Sequence, residues 1–267
     1  MKASITTSVA ILFSLSSLAH AGVVMDMVTK NASGQEDDRS TIYAQSKMVR
    51  MDEVRGTETV ASMIFLGNEF LYVDHRKKSY IVMDEAMLDE VSAQISDAMQ
   101  QMEAELARMP PEQRAMVEQM MKGQMGGMMG QQDTPPPAPG VKAVGSGKWQ
   151  SKICRKYAVF EGPDKTQELC AAKLDDVDGG DEIMEAFRSM AAYMTKMTES
   201  IPMAVNDGMN PGELMDQIDG FPVHTTDFEN GVAVRETSLD SITEKKLEPG
   251  FFAAPEGYRR ENPFQGR

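Results

Sequence analysis

The chain has 267 residues, with 41 acidic against 27 basic side chains and a formal charge of −14 at neutral pH. A surface of that sign repels nucleic acid and anionic bilayers, which both require a basic face, so no nucleic-acid partner is expected. The length suits one large β-rich domain or two small ones.

Residues 1–21 read as a secretory signal peptide. Lys2 supplies the positive start, Val9 to Leu18 the apolar run, and Ala19-His20-Ala21 the small-x-small cleavage signal. The run is too short for a permanent span. No later segment is apolar enough for a transmembrane segment, and Gly22, not a lipoprotein cysteine, stands directly after the cleavage site. A periplasmic chain cleaved after Ala21 and beginning at Gly22 is expected.

From Gly22 to Met83 the pattern alternates strand and turn. Val23 to Val28, Ile42 to Met51, Val60 to Leu66, Glu69 to Val73 and Ser79 to Val82 read as strands, with Asn31 to Arg39 a hairpin loop. Together they make an antiparallel meander with one apolar face. A helix starts near Asp84, whose carboxylate can cap it. Met87, Leu88, Val91, Ile95, Met99, Met102, Leu106 and Met109 form its stripe, and Pro110-Pro111 breaks the run. A second helix, Glu112 to Lys122, carries Met116, Val117, Met120 and Met121, then gives way to glycine- and proline-rich sequence. Residues 84–146 thus read as a Met-rich and Pro-rich helical insertion within a single domain over 22–267.

Strands resume at Lys148-Trp149. Ile153 to Phe160 and Gln167 to Leu174 flank the turn signal Glu161-Gly162-Pro163-Asp164. A third helix follows, with the stripe Ile183, Phe187, Met190, Met194, Met197 and Ile201. Phe221 to Phe228, Val232 to Ser241 and Lys245 to Leu247 return to strand, and Gly250 to Tyr258 closes the pattern.

The two cysteines, Cys154 and Cys170, are predicted to form a disulfide, the usual state of an even pair in an exported protein. A hairpin folded about Gly162 places them directly opposite each other. Closing that loop contributes about 3 kcal/mol in the chain-entropy picture.

Signs of catalysis are poor. His75 and His224 lie in strand or turn patterns, away from any nucleophile motif, and read as structural or surface residues. Gly145-Ser146-Gly147-Lys148 lacks the hydroxyl residue and glycine offset of a phosphate loop. Asp176-Val177-Asp178-Gly179-Gly180-Asp181 has glycine and aspartate exchanged relative to a calcium loop, and Phe187 stands where the bidentate glutamate belongs. No enzyme, no cofactor and no catalytic residue are expected. A Cu(I) site from Met116, Met120, Met121, Met125, Met128 and Met129 is the alternative reading of the methionines. The segment has no histidine, so an apolar cover or partner surface is the preferred one.

Several stretches resemble the DUF4412 family of exported bacterial proteins. They are Gly22-Val23-Val24-Met25-Asp26-Met27, Tyr43 to Asp52, Phe70 to Tyr80 and the ending Phe251-Phe252-Ala253-Ala254-Pro255-Glu256-Gly257-Tyr258-Arg259. The resemblance implies an architecture like that of the LolA/LolB periplasmic carriers. This is an α+β fold in which a curved antiparallel sheet forms a half-barrel with helices packed on its concave side. It carries over no functional residue. The function expected from it is a non-enzymatic periplasmic binding protein for a lipid or lipoprotein acyl chain. The resemblance skips the insertion, whose Met-rich helices suit an adaptable lid because methionine is flexible and polarizable. A Cu(I)-binding protein and a module docking onto an envelope protein partner are the rivals.

Overall fold

Alternating apolar and polar residues pair into a sheet of twelve strands among the described residues. The computed structural model describes residues 22–110, 113–114, 140–200, 211–248 and 250–262. The expected signal peptide, nearly all of the second Met-rich helix and the Pro-rich stretch lie outside them.

The first six strands are β1 (Gly22–Asn31), β2 (Glu36–Gln45), β3 (Met48–Arg55), β4 (Glu58–Phe65), β5 (Phe70–Asp74) and β6 (Ser79–Met83). They form the expected meander, with two differences. The loop expected over Asn31 to Arg39 is shorter, because Glu36 to Arg39 already pair with β1. Ile42 to Met51 is two strands, because the chain reverses at Ser46-Lys47 with Ser46 in the left-handed region at φ 55°. The Glu182 carboxylate accepts a hydrogen bond from the Ser46 N–H and holds that turn against a helix.

Helix α1 (Glu85–Arg108) follows as expected, with the Asp84 carboxylate accepting from the Met87 N–H at 2.9 Å. The second meander comprises β7 (Gly140–Trp149), β8 (Lys152–Glu161), β9 (Asp164–Ala172), β10 (Phe221–Glu229) and β11 (Val232–Lys245). Among the described residues a 3-10 turn (Leu174–Asp176) and two α-helices separate β9 from β10: α2 (Gly180–Ser200) and the short α3 (Pro211–Gln217), which hydrophobic periodicity did not reveal. Strand pairing starts at Gly140, earlier than Lys148, because glycines at 145 and 147 serve the ladder. Gly145 takes φ 151° at a register shift. Gly147 lies under the disulfide, where a Cβ would stand 2.8 Å from Cys170 Sγ.

The sheet order is β12-β6-β5-β4-β3-β2-β1-β11-β10-β9-β8-β7, so β1 and β11 form the seam between the two meanders. At one end β12 (Arg259–Arg260) adds in parallel to β6. The sheet is strongly curled. Trp149 at the end of β7 donates its indole N–H to the Leu239 carbonyl on β11 at 2.9 Å. Those strands are four positions apart, about 19 Å in a flat sheet, so the two ends of the second meander must bend toward each other. The carbonyl is available because β10–β11 pairing stops at Ser238.

Helix α2 lies inside the curl. Ile183, Met184 and Ala186, with Phe187, Met190, Tyr193 and Met197, join Val23, Phe65 and Phe70 of the first meander to Trp149, Cys154 and Phe221 of the second in one core. The buried face is wider than the expected stripe, since Ala186 and Ala191 bring the helix backbone close to its neighbours. The convex face of the first meander is covered by the closing segment: Leu247, Phe251, Phe252 and Tyr258 pack on Val24, Tyr43, Ile64, Leu71 and Val73. The fold class expected from the sequence, a curved open antiparallel sheet with a helix on its concave side, is the one observed.

Cys154 and Cys170 are disulfide-bonded, with Cα atoms 5.4 Å apart. They are not directly opposite. Cys154 faces Ala172 and Cys170 faces Lys156, because the turn centres between Gly162 and Pro163 and a register shift follows at Val159/Phe160. The bridge is therefore diagonal between two pairs on one face of the hairpin.

Candidate functional site

The concave face of the first meander is built as parallel rows of side chains running across the strands, because directly opposed residues share a face. The first row is Val23–Ala44–Val49–Phe65–Phe70–Met83. Helix α2 covers it: Tyr193 stacks against Phe65 and Phe70, each ring pair 5.7 Å apart. The Tyr193 hydroxyl reaches the Met83 carbonyl, and burial raises its pKa.

Two residues further along each strand lies a second row, Ile242–Met25–Ile42–Met51–Met63–Tyr72–Ile81. It is apolar across seven strands, yet its exposure is graded. Met25 is 0% exposed and Ile42 7%, whereas Met51, Met63 and Tyr72 are 39%, 38% and 39% exposed. A third row, Met27–Ser40–Glu53–Ala61–Asp74–Ser79, turns mostly polar. The second row is thus an apolar strip with one flank buried under α2 and the other bordered by polar groups. From Met25 to Ile81 it crosses five strand spacings, about 24 Å. Methionine at its centre gives a flexible, polarizable surface suited to an apolar partner of variable shape.

On the opposite face is a buried polar cluster that sequence reading did not assemble. Arg50 donates to the Asp52 carboxylate at 2.7 Å, to the Phe251 carbonyl at 2.8 Å and to Ser62 Oγ at 3.3 Å, with its guanidinium 4.6 Å from the centre of the Phe251 ring. Ser62 donates to Asp52 at 2.6 Å, and its oxygen stands 2.7 Å from His75 Nε2. The other imidazole nitrogen is 3.0 Å from the Tyr258 hydroxyl. Since the Ser62 proton goes to Asp52, Nε2–H of His75 donates to Ser62 and Nδ1 accepts from Tyr258. Burial, and after it the Arg50 guanidinium, holds the His75 pKa below the usual histidine range.

Serine, histidine and aspartate here do not make a catalytic triad. In a triad the carboxylate orients the imidazole. Here it accepts from the serine itself, Tyr258 takes the position the carboxylate would need, and Ser62 is only 1% exposed. The cluster acts as a clamp, tying the closing segment to β3, β4 and the turn after β5. His224, on β10 between Ser238 and Cys170, takes no part in it.

No family model and no curated protein sequence matches the chain. Among solved structures it is similar to an uncharacterized conserved protein from Thermus thermophilus, at 8% identity and TM-score 0.46, covering 91% of each chain. It is also similar to a chain of the MucA/MucB complex of Pseudomonas aeruginosa, at 7% identity and TM-score 0.37, covering 89% of this chain and 56% of that one. A LolA superfamily protein from Nitrosomonas europaea aligns at 6% identity and TM-score 0.28, covering 87% of this chain and 89% of that one.

Met116, Met120, Met121, Met125, Met128 and Met129, the candidate copper ligands, lie outside the described residues. Among the described residues there is no group of three or more His, Cys, Asp or Glu side chains arranged to hold a metal ion. No helix among them is long and apolar enough to cross a membrane. The strip was legible as the apolar alternation of the meander. What the sequence did not show is how far α2 covers it.

Proposed function

We propose that this chain is a non-catalytic periplasmic binding protein of the DUF4412 type with a LolA-like half-barrel, and that it holds the acyl chain of a lipid or lipoprotein along the open part of the strip, from Met51 through Met63 and Tyr72 to Ile81. The observation carrying this reading is the graded row, in which a line of apolar side chains continuous with the core emerges from beneath α2 and stays open at Met51, Met63 and Tyr72. An extended hydrocarbon laid there extends the core by one row and removes apolar surface from water, at about 25 cal/mol per Å². Methionines at 184, 190 and 197 on the covering helix let it repack around chains of different length. The disulfide supports an oxidising compartment.

The test is native mass spectrometry of the chain purified from its periplasmic fraction, together with titration of the fluorescent fatty acid cis-parinaric acid. Acyl species are expected in the first. In the second, Met63→Glu and Tyr72→Glu each weaken binding by about tenfold or more, equivalent to about 1.4 kcal/mol, while leaving thermal stability almost unchanged. Absence of acyl species, or affinities indifferent to both substitutions, overturns the reading.

A further inference from the structure

The two ends of the sheet are treated differently. At one end the chain covers its own edge: the Arg259 N–H donates to the Lys78 carbonyl and the Glu261 N–H to the Tyr80 carbonyl as β12 lies along β6. At the other, β7 is the terminal strand among the described residues and pairs on one side with β8. An edge strand presents a row of backbone donors and acceptors to any extended segment that reaches it.

The charge of this edge is opposite to that of the molecule. Residues 140–160 hold five basic side chains, Lys142, Lys148, Lys152, Arg155 and Lys156, and no acidic one, in a chain of net charge −14. Lys152 pairs with Asp176 and Lys156 with Glu168. Lys142 lies over the Phe160 ring and Arg155 over the Tyr157 ring, and among the described residues neither stands within ion-pair distance of a carboxylate. Between these cations the edge is small and apolar at Ala143 and exposed Val144, with exposed Ile153 behind it on β8. Beside it runs a shallow groove of about 410 Å³, lined by Val141, Ala143, Arg155 and Tyr157 on the sheet and by Asp216 and Asp219 across from them.

We infer that the β7 edge is a docking site for an extended acidic segment of a protein partner, which adds to the sheet as a further strand. The backbone of β7 supplies the ladder, and Lys148 and Arg155, which share one face of the hairpin, select carboxylates at alternate positions. The small side chains of β7 leave room for the partner's own. Lysine on an edge ordinarily serves to repel, and here it still does so selectively: a second copy of the same basic edge is rejected, whereas an acidic strand is admitted. This site lies on a different part of the sheet from the concave strip, so either can fail alone.

The experiment uses the full mature chain and fluorescein-labelled heptapeptides read by fluorescence anisotropy. One alternates Glu with Val, one alternates Lys with Val, and two are Glu–Val peptides N-methylated at alternate backbone amides in either register. The Glu–Val peptide is expected to bind and to weaken with salt. The Lys–Val peptide is expected not to bind, and methylation is expected to abolish binding in one register only. Lys148→Glu with Arg155→Glu, both exposed, should lower the affinity at least about tenfold with an unchanged thermal melt. Hydrogen exchange should show β7 amides becoming protected on peptide addition. Equal binding of both methylated peptides, binding of the Lys–Val peptide, no binding at low salt, or β7 amides already fully protected in the free chain would each overturn the inference.

Discussion

Asp52→Ala tests the clamp on the convex face. The Asp52 carboxylate is buried and accepts from Arg50 at 2.7 Å and from Ser62 at 2.6 Å. Its removal leaves the Arg50 guanidinium, whose side chain is only 13% exposed, without its counter-charge. Breaking a buried pair on one side costs about 3–5 kcal/mol. The low end applies, because Arg50 keeps the Phe251 carbonyl and the ring beneath it. A loss of about 3 kcal/mol lowers the melting temperature by roughly 6–12 °C in a domain of this size. Urea denaturation measures the loss directly. Trypsin cleavage at Lys245 and Lys246 reports release of the closing segment, which should be faster than in the parent. The double variant Arg50→Met with Asp52→Leu removes both charges and should cost clearly less than Asp52→Ala alone. A single-variant loss under about 1 kcal/mol, or a double variant worse than the single, would refute the claim that this pair is a mutually compensated buried clamp.

His75 adds a pH signature whose sign follows from its lowered pKa. The unfolded chain takes up a proton near pH 6.5 while the folded imidazole stays neutral, so wild-type stability falls as pH drops below 6.5 and levels off below the folded pKa. His75→Gln lacks that term. Its stability deficit, from urea melts, should shrink on acidification, and a deficit constant from pH 8 to pH 5 would contradict the assignment. Gly147→Ala should destabilise by about 1–3 kcal/mol through overpacking, since its Cβ meets Cys170 Sγ at 2.8 Å. In a Cys154→Ala, Cys170→Ala background the same change should be close to neutral by thermal melting, and an equal cost in both backgrounds would show that the sulfur is not the obstacle. Trp149→Phe leaves the buried Leu239 carbonyl without its donor and should cost about 1–3 kcal/mol in denaturant unfolding; no loss would mean that carbonyl finds another partner.

Much of the first meander could be read from the sequence because its strands alternate on one face, so residues such as Met63 and Tyr72 were assigned to strands from their neighbours alone. The turn at Ser46-Lys47 was hidden, since neither residue is a strong turn former and the α2 residue Glu182 fixes the reversal from 136 positions away. The clamp was hidden for the same reason. Ser62 and His75 are close in sequence, but Tyr258 reaches His75 only after the closing segment folds back across the convex face. The disulfide could be paired from composition, while its diagonal geometry depended on a register shift that residue types do not encode. Periodicity found α2 and missed the burial of Ala186 and Ala191, because alanine is a weak apolar marker.

The seam between β1 and β11 carries a consequence for how the molecule is made. Gly22 pairs with Lys245 and Asn31 with Arg235, so the most sequence-distant strands of the two meanders are joined at the middle of the sheet rather than at its rim. The first meander, and the β7–β8–β9 and β10–β11 hairpins of the second, can form from contacts between chain neighbours, which close quickly. The seam waits on a loop of more than two hundred residues, and such non-local pairing slows folding. As the chain emerges from a ribosome or a translocation pore N-terminus first, β1 keeps an unsatisfied edge until nearly the whole polypeptide has followed. The half-finished product presents an open strand that carries Val23 and Met25, a template for pairing with another nascent copy. A chaperone for this protein would have its principal task at that strand.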